Sequence, residues 1–273
     1  MEQQKEGIDY FSSLPCDIIG IILSKISSPR DLCRLSAVSA VLRSSTKSDF
    51  LWEKFVPYDY LNIVTSNSTF TPSFFGPKKA LFFHICNHHS PIFLRSKLLE
   101  VDKSSGKIIC TLGTPEIYAA VNNKSYYRWS WLNFPELNSR WKLIANKMKT
   151  IETCNSFEIM SEIDTQILSR NTTYEAYFIF QISEPTYNNK PFNFLTKVSI
   201  RSSIPSESQV VHLVSQRDDG LLELKIGEFH NSERHSVYGH VVTLNVEELS
   251  EFEPSTRTCF LVFGIELRPT ILK

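Results

Sequence analysis

The hydrophobic period of this chain changes near residue 98, and that change limits what it can fold into. Before it, apolar residues recur every third or fourth position: Ile18, Ile22 and Ile26, widened by Ile19 and Leu23, then Leu32, Leu35 and Val38. This is the spacing of one face of a helix. After it they alternate, as in Phe178, Phe180 and Ile182, in Leu222, Leu224 and Ile226, and in Val242, Leu244 and Val246. Alternation of that kind marks half-buried strands. The expected fold class is therefore α+β, a helical unit followed by antiparallel β-structure. The 273 residues suit about two domains.

The helical part is clearly punctuated. Pro15 suits a first helical turn, where its missing N–H costs nothing. Ser28-Pro29-Arg30-Asp31 reads as a fresh start, with Ser28 as cap and Asp31 near the positive end of the helix dipole. Asp49 is placed to cap a last short helix carrying Leu51, Trp52 and Phe55. A unit of this size has too little volume to bury Leu14, Ile18, Ile22, Ile26, Leu23, Leu32 and Leu35 together. Either the surplus packs on the rest of the chain, or it is an interface.

Leu14-Pro15, the Ile-rich helix, Pro29-Arg30-Asp31-Leu32, Leu35-Ser36-Ala37-Val38-Ser39 and Leu51-Trp52 together resemble an F-box over residues 8–57. Val38-Ser39 stands where that family more often has Val-Cys. The resemblance implies docking on the Skp adaptor of a cullin-based (SCF) ubiquitin ligase. It implies that Leu14, Pro15, Ile18, Ile22, Leu23, Pro29, Leu32, Leu35, Val38 and Trp52 form the interface or its immediate support.

Residues 58–97 read as a connector. Asn62 to Pro72 is rich in Ser, Thr and Asn, which is loop chemistry, and one helix is expected from Pro77 through Cys86 with Leu81, Phe82, Ile85 and Cys86 inward. His84, Cys86, His88 and His89 are residue types that bind zinc, but their spacing matches no zinc pattern and no second ligand cluster accompanies them. No metal is assigned.

Strands are expected at Ser156–Ile163, Tyr174–Ile182, Thr196–Arg201, Gln209–Val214, Leu222–Ile226, Val242–Val246 and Cys259–Leu267, separated by turn signals such as Asp219-Gly220 and Pro254-Ser255. Many short alternating strands argue an antiparallel sandwich or jelly roll. The runs Leu99–Lys107, Tyr126-Tyr127-Arg128-Trp129, Asp219–Phe229 and Val262–Pro269 resemble the plant phloem protein 2 family, which includes the tobacco-type lectin. Residues 98–273 are assigned to this jelly-roll-like, lectin-type module. An F-box followed by it is the B-type architecture of that family. The resemblance implies binding of N-acetylglucosamine-containing glycans, with Tyr127 and Trp129 as carbohydrate-binding residues. Ala120, Tyr127 and Leu221 stand where tryptophans are usual, and an alanine cannot stack on a sugar ring.

Other classes find little support. Lys plus Arg equals Asp plus Glu at 29 each, so no global field draws nucleic acid. No apolar run approaches the roughly 20 residues that span a bilayer, and the first residues carry no apolar signal core. The six cysteines form no CxxC pair, which suits free thiols in a reducing compartment. Cytoplasm or nucleus is expected. No hydrolase, zinc-protease or nucleotide-binding motif occurs. Asp164, Asp218, Asp219 and Glu223 are the carboxylates that could pair for acid–base work. No catalytic residue and no cofactor are assigned. The expected role is a substrate-recognition subunit, non-catalytic, that bridges a Skp-type adaptor (and through it a cullin) to an unknown target. A cytosolic lectin whose F-box is vestigial is the alternative.

Overall fold

The computed structural model describes residues 14–56, 76–87, 92–94, 96–121, 126–130, 141, 148–153, 157–183, 194–200, 209–211, 214–232, 241–248 and 258–270. The chain divides into two compact units. The first is Met1–Ser90 with Val101–Lys107, and the second is Pro91–Glu100 with Ile108–Lys273. The expected connector loop, Asn62 to Pro72, lies outside the described residues, as do His88 and His89.

In the first unit, α1 is Cys16–Ser24, α2 Pro29–Ser36, α3 Ala40–Ser45, α4 Asp49–Glu53 and α5 Lys78–Asn87. Ser28 caps α2 as expected, its hydroxyl accepting from the Asp31 N–H with Pro29 just inside. Asp49 differs from expectation. Ser48 precedes α4 instead, and the Asp49 carboxylate accepts from the backbone N–H of Lys78, the first residue of α5, at 2.7 Å. It satisfies an orphan donor of a helix 29 residues away in sequence.

One hydrophobic cluster holds these helices: Ile19, Leu23, Leu32, Leu42, Leu51, Trp52, Phe55 and Phe82. Trp52 is its hub. The ring is fully buried, donates its indole N–H to the Thr46 carbonyl at 2.7 Å, and meets Phe55, Phe82 and Phe83. The loop Val101–Lys107 belongs to this unit through several contacts. Ser28 donates its hydroxyl to the Ser104 carbonyl, and Val101 packs on the cluster. The Asp102 carboxylate accepts from the Ser104 hydroxyl at 2.7 Å and from the Ser105 N–H at 2.8 Å.

The second unit is two antiparallel sheets. The strands are β1 Ile92–Leu94, β2 Lys97–Val101, β3 Ile108–Gly113, β4 Ile117–Val121, β5 Tyr126–Ser130, β6 Met148–Thr153 and β7 Phe157–Asp164. After them come β8 Thr172–Ser183, β9 Phe194–Ile200, β10 Gln209–Val211, β11 Val214–Gln216, β12 Leu222–Asn231, β13 Val241–Glu248 and β14 Thr258–Pro269. The nine-stranded sheet runs β1-β2-β3-β14-β8-β12-β11, with β6 also on β14 and β5 on β6; the five-stranded sheet runs β10-β9-β13-β7-β4. The α+β reading with an antiparallel sandwich therefore holds. The single expected strand Gln209–Val214 is in fact two short strands in different sheets. The alternation of β1 to β6 was too short or too interrupted to read.

The sandwich core is built from the inward residues of both sheets: Tyr174, Ala176, Phe178 and Phe180 of β8, Leu224 and Ile226 of β12, Ile265 and Leu267 of β14, Ile159 and Ile163 of β7, and Val242, Leu244 and Val246 of β13. β8 departs from simple alternation. Ile179 points the other way and is also fully buried, beneath Trp141 in a second cluster with Leu221, Leu261 and Phe263. Trp141 covers the outer side of the large sheet, so its central strands are apolar on both faces there.

Gly227 and Gly264 both lie at irregularities in the ladder. The β12–β8 register shifts between Lys225 and Gly227, and the β14–β8 register between Val262 and Gly264. A Cβ on Gly227 would stand 2.7 Å from Val198 Cγ2, and one on Gly264 would stand 2.3 Å from the Leu112 carbonyl oxygen. At Gly264 only a glycine lets β14 approach the β3 backbone that closely, whereas at Gly227 the close neighbour is a side chain of the facing sheet.

Candidate docking surface

Helix α1 is apolar on two sides. Ile19 and Leu23 face the cluster at 0% and 2% exposure, while Ile18, Ile21 and Ile22 stand 44%, 57% and 43% exposed. The exposed three are spaced i, i+3, i+4, which stacks them on one stripe. Leu14 and Pro15, also exposed, lead into that stripe. Val38, just after α2, and Phe50, in α4, are exposed at 72% and 65%.

The ten positions singled out for docking thus divide in two. Leu14, Pro15, Ile18, Ile22 and Val38 are surface. Leu23, Pro29, Leu32 and Trp52 are interior, and Leu35 is half-buried against the cluster. The interior residues can act on a partner only by holding the helices that present the others. Ile21 and Phe50 are surface apolar residues that the sequence reading missed. Ile21 was hidden in an almost unbroken apolar run, and Phe50 sits in a helix too short to show a period.

Two thiols of this unit, Cys33 and Cys86, are partly buried. Burial raises Cys33, and burial pushes Cys86 up to about 11. A thiol kept protonated is a poor nucleophile and a poor metal ligand. Among the described residues no group of three or more His, Cys, Asp or Glu side chains is arranged for a metal. Cys16, Cys33, Cys86 and Cys110 are free thiols.

Two family models match the chain: F-box-like over residues 11–57, and Phloem protein 2 over residues 116–269. F-box protein At2g02240 of Arabidopsis thaliana is 31% identical over 97% of this chain and 82% of its own length. F-box protein PP2-B10 of the same plant is 31% identical over 95% of this chain and 94% of its own length. The chain belongs to the phloem protein 2 family and carries an F-box. Among solved structures it is similar to TmCBM61 in complex with β-1,4-galactotriose, at 13% identity over 56% of this chain and 88% of that one, with a TM-score of 0.34.

For this F-box member of the phloem protein 2 family, the carbohydrate positions fall as follows. Tyr127 and Trp129 lie on β5, opposite Ile151 and Lys149 of β6, and their side chains are outside the described residues. Ala120 lies on β4, at the end of the other sheet. Leu221 is 3% exposed and packs with Trp141. It is a core position, not an open platform.

Of the four carboxylates considered for acid–base work, Asp164, Asp219 and Glu223 have partners, while Asp218 is exposed. Asp219 accepts from Arg217 at 3.1 Å and from the Trp141 indole at 3.3 Å. Glu223 is shared by Arg217 and Arg268 at 3.2 and 2.7 Å, and the nearly buried Glu266 joins the same two arginines. Arg268 also lies over the Tyr177 ring, 4.3 Å from its centroid. Burial opposes the charge on Arg268, but Glu223 and Glu266 outweigh it and raise its pKa. Asp164 caps the short turn after β7 by accepting from the Gln166 N–H. No helix among the described residues is long and apolar enough to cross a membrane.

Proposed function

We propose that this protein is the substrate-recognition subunit of an SCF-type ubiquitin ligase. The F-box helices dock on a Skp-type adaptor and through it on a cullin. The β-sandwich holds the target, which includes the case of a glycoprotein. The observation that carries this reading is the stripe of Leu14, Pro15, Ile18, Ile21 and Ile22, left exposed on a helix whose other side already fills its own core. Burying an isoleucine is worth ~1.5–3 kcal/mol. Three half-exposed isoleucines in one stripe are costly to leave in water and suit a permanent apolar partner.

Ubiquitin transfer in this reading is chemistry of other subunits. This chain contributes by positioning: a bound target lysine held near a thioester gains effective concentration without any reactive side chain here. The cytoplasm or nucleus, where such ligases work, is the proposed location.

The test is co-purification of the full chain with a Skp adaptor. Changing Leu14 and Pro15 together to alanine should abolish it while the sandwich stays folded. Retention of the adaptor by the double variant would overturn the assignment of this surface.

A further inference from the structure

The five-stranded sheet carries an unexplained face. Its inner side holds Ile159, Ile163, Val242, Leu244 and Val246. Its outer side carries Tyr118 of β4 and Met160 of β7, directly opposite each other and exposed at 63% and 39%. Next to them, Glu158 of β7 stands directly opposite Glu247 of β13. Like charges facing across a ladder destabilise a sheet. Neither glutamate, nor the exposed Glu162 on the same strand, has a cation partner among the described residues.

Asn245 adds a second anomaly. It sits between the two sets, opposite Met160. Its amide N–H donates to Glu158 at 2.6 Å, but its side-chain oxygen is shielded from water and has no donor. An unmet acceptor of that kind costs stability. The one basic residue opposite Asn245 is Lys197 of β9. A fold optimised only for its own stability has no use for facing glutamates beside an exposed Tyr–Met pair.

We propose that this face reads the target, and that what it fits is an extended protein segment bearing lysine or arginine. The inference rests on the receptor reading above and names the surface and chemistry of its second partner. Cationic side chains would neutralise Glu158, Glu162 and Glu247, which line the outer face. Tyr118 and Met160 take the apolar stems and neighbouring side chains, since tyrosine and methionine are effective contact residues at protein interfaces. β4 ends the strand order of its sheet among the described residues, so an extended segment can also pair with its backbone edge. An uncharged sugar would satisfy the tyrosine but leave the facing carboxylates as they are.

The experiment uses the full chain and a fluorescein-labelled ten-residue peptide alternating lysine with leucine, read by anisotropy. Saturable, salt-sensitive binding is expected. Tyr118→Ala should weaken it at least tenfold. The double variant Glu158→Gln/Glu247→Gln should do the same while raising the midpoint of thermal unfolding, because it removes a facing like-charge pair. Asp218→Asn, an exposed carboxylate beside the other sheet, should change neither readout. No saturable binding, or binding indifferent to these substitutions, overturns the proposal. So does an N-acetylglucosamine oligomer that binds in a Tyr118-dependent way while the peptide does not. Adaptor co-purification on the same preparation separates the two readings. If the adaptor is retained and the peptide fails, only this inference falls. If the adaptor is lost, the receptor reading falls first.

Discussion

Gly106 lies against the ring of Phe55, so close that a Cβ on Gly106 would stand 2.7 Å from Phe55 Cδ1. Its φ is +71°, and its N–H donates to the Asp102 carbonyl at 2.7 Å, closing the loop that joins the helical unit. The F-box helices are thus completed by two segments beyond their own motif, α5 through Phe82 and this loop through Val101 and Gly106. Gly106→Ala should lower the unit's stability by more than the ~1–2 kcal/mol that a left-handed backbone alone costs an L-residue. Urea unfolding of the full chain measures it, and the double variant with Phe55→Ala should show a smaller added loss from the second change than Gly106→Ala causes alone.

Trp52 and Ile18 should behave oppositely, although both belong to the same motif. Trp52→Phe removes a buried indole donor and leaves the Thr46 carbonyl unpaired, at a cost of ~1–3 kcal/mol. Ile18 is 44% exposed, so Ile18→Ser should change stability by only ~0.5 kcal/mol. The expected pattern is a lower unfolding midpoint with the adaptor retained for Trp52→Phe, and an unchanged midpoint with weakened adaptor binding for Ile18→Ser. Calorimetry and co-purification on the two variants check it. Equal behaviour in both assays would dissolve the division between surface and support.

Asp102 links the helical unit to acid. Burial alone would raise its carboxyl, but hydrogen bonds from Ser105 and Ser104 outweigh burial and hold it below the ordinary carboxylate value of 3.8. A carboxylate depressed by folding stabilises above its unfolded pKa, and that stability is lost as pH falls through the folded value. Asp102→Asn should therefore cost ~1.5–3 kcal/mol near neutral pH, the range for hydrogen bonds to a charged group. It should also flatten the acid limb of the stability curve below about pH 4. Denaturation midpoints across pH 2–7 for both proteins test the sign.

Much of this could be read from sequence, and what could not has physical reasons. Ser28-Pro29-Arg30-Asp31 announced α2 because a cap is a local device, and Leu224 and Leu244 announced buried strand positions because each strand there has one wet face. In Ile18-Ile19-Gly20-Ile21-Ile22-Leu23 nearly every residue is apolar, so periodicity could not say that Ile19 and Leu23 face in while Ile18, Ile21 and Ile22 face out. Asp49 capping Lys78, and Trp141 covering Ile179, are contacts between distant residues that no local pattern encodes. The ten candidate docking positions could be named from sequence, but which of them are surface and which interior could not. The face around Tyr118 and Met160 was not legible at all, since it exists only once β4 pairs with β7.

Gly227 and Gly264 differ in what an added side chain would meet. At Gly227 an added methyl meets the side chain of Val198, a residue of the facing sheet that can be made smaller. At Gly264 it meets the backbone carbonyl of Leu112, the neighbour of its ladder partner Gly113, and no side-chain change can move that oxygen. Gly227→Ala should destabilise the sandwich, and Val198→Ala combined with it should recover the steric share. The share due to the φ of +156° at Gly227 should remain. Gly264→Ala should force β3 and β14 apart and shed the pairing of Ile265, Glu266 and Leu267 with Leu112, Thr111 and Cys110. Each of those residues is buried, so the loss should exceed the ~4–5 kcal/mol that marks exceptional substitutions and leave little soluble protein. Thermal unfolding and soluble yield of the three variants decide it. A Gly264→Ala protein as stable as the Gly227→Ala/Val198→Ala pair would show that the bulge in β14 has room that its geometry denies.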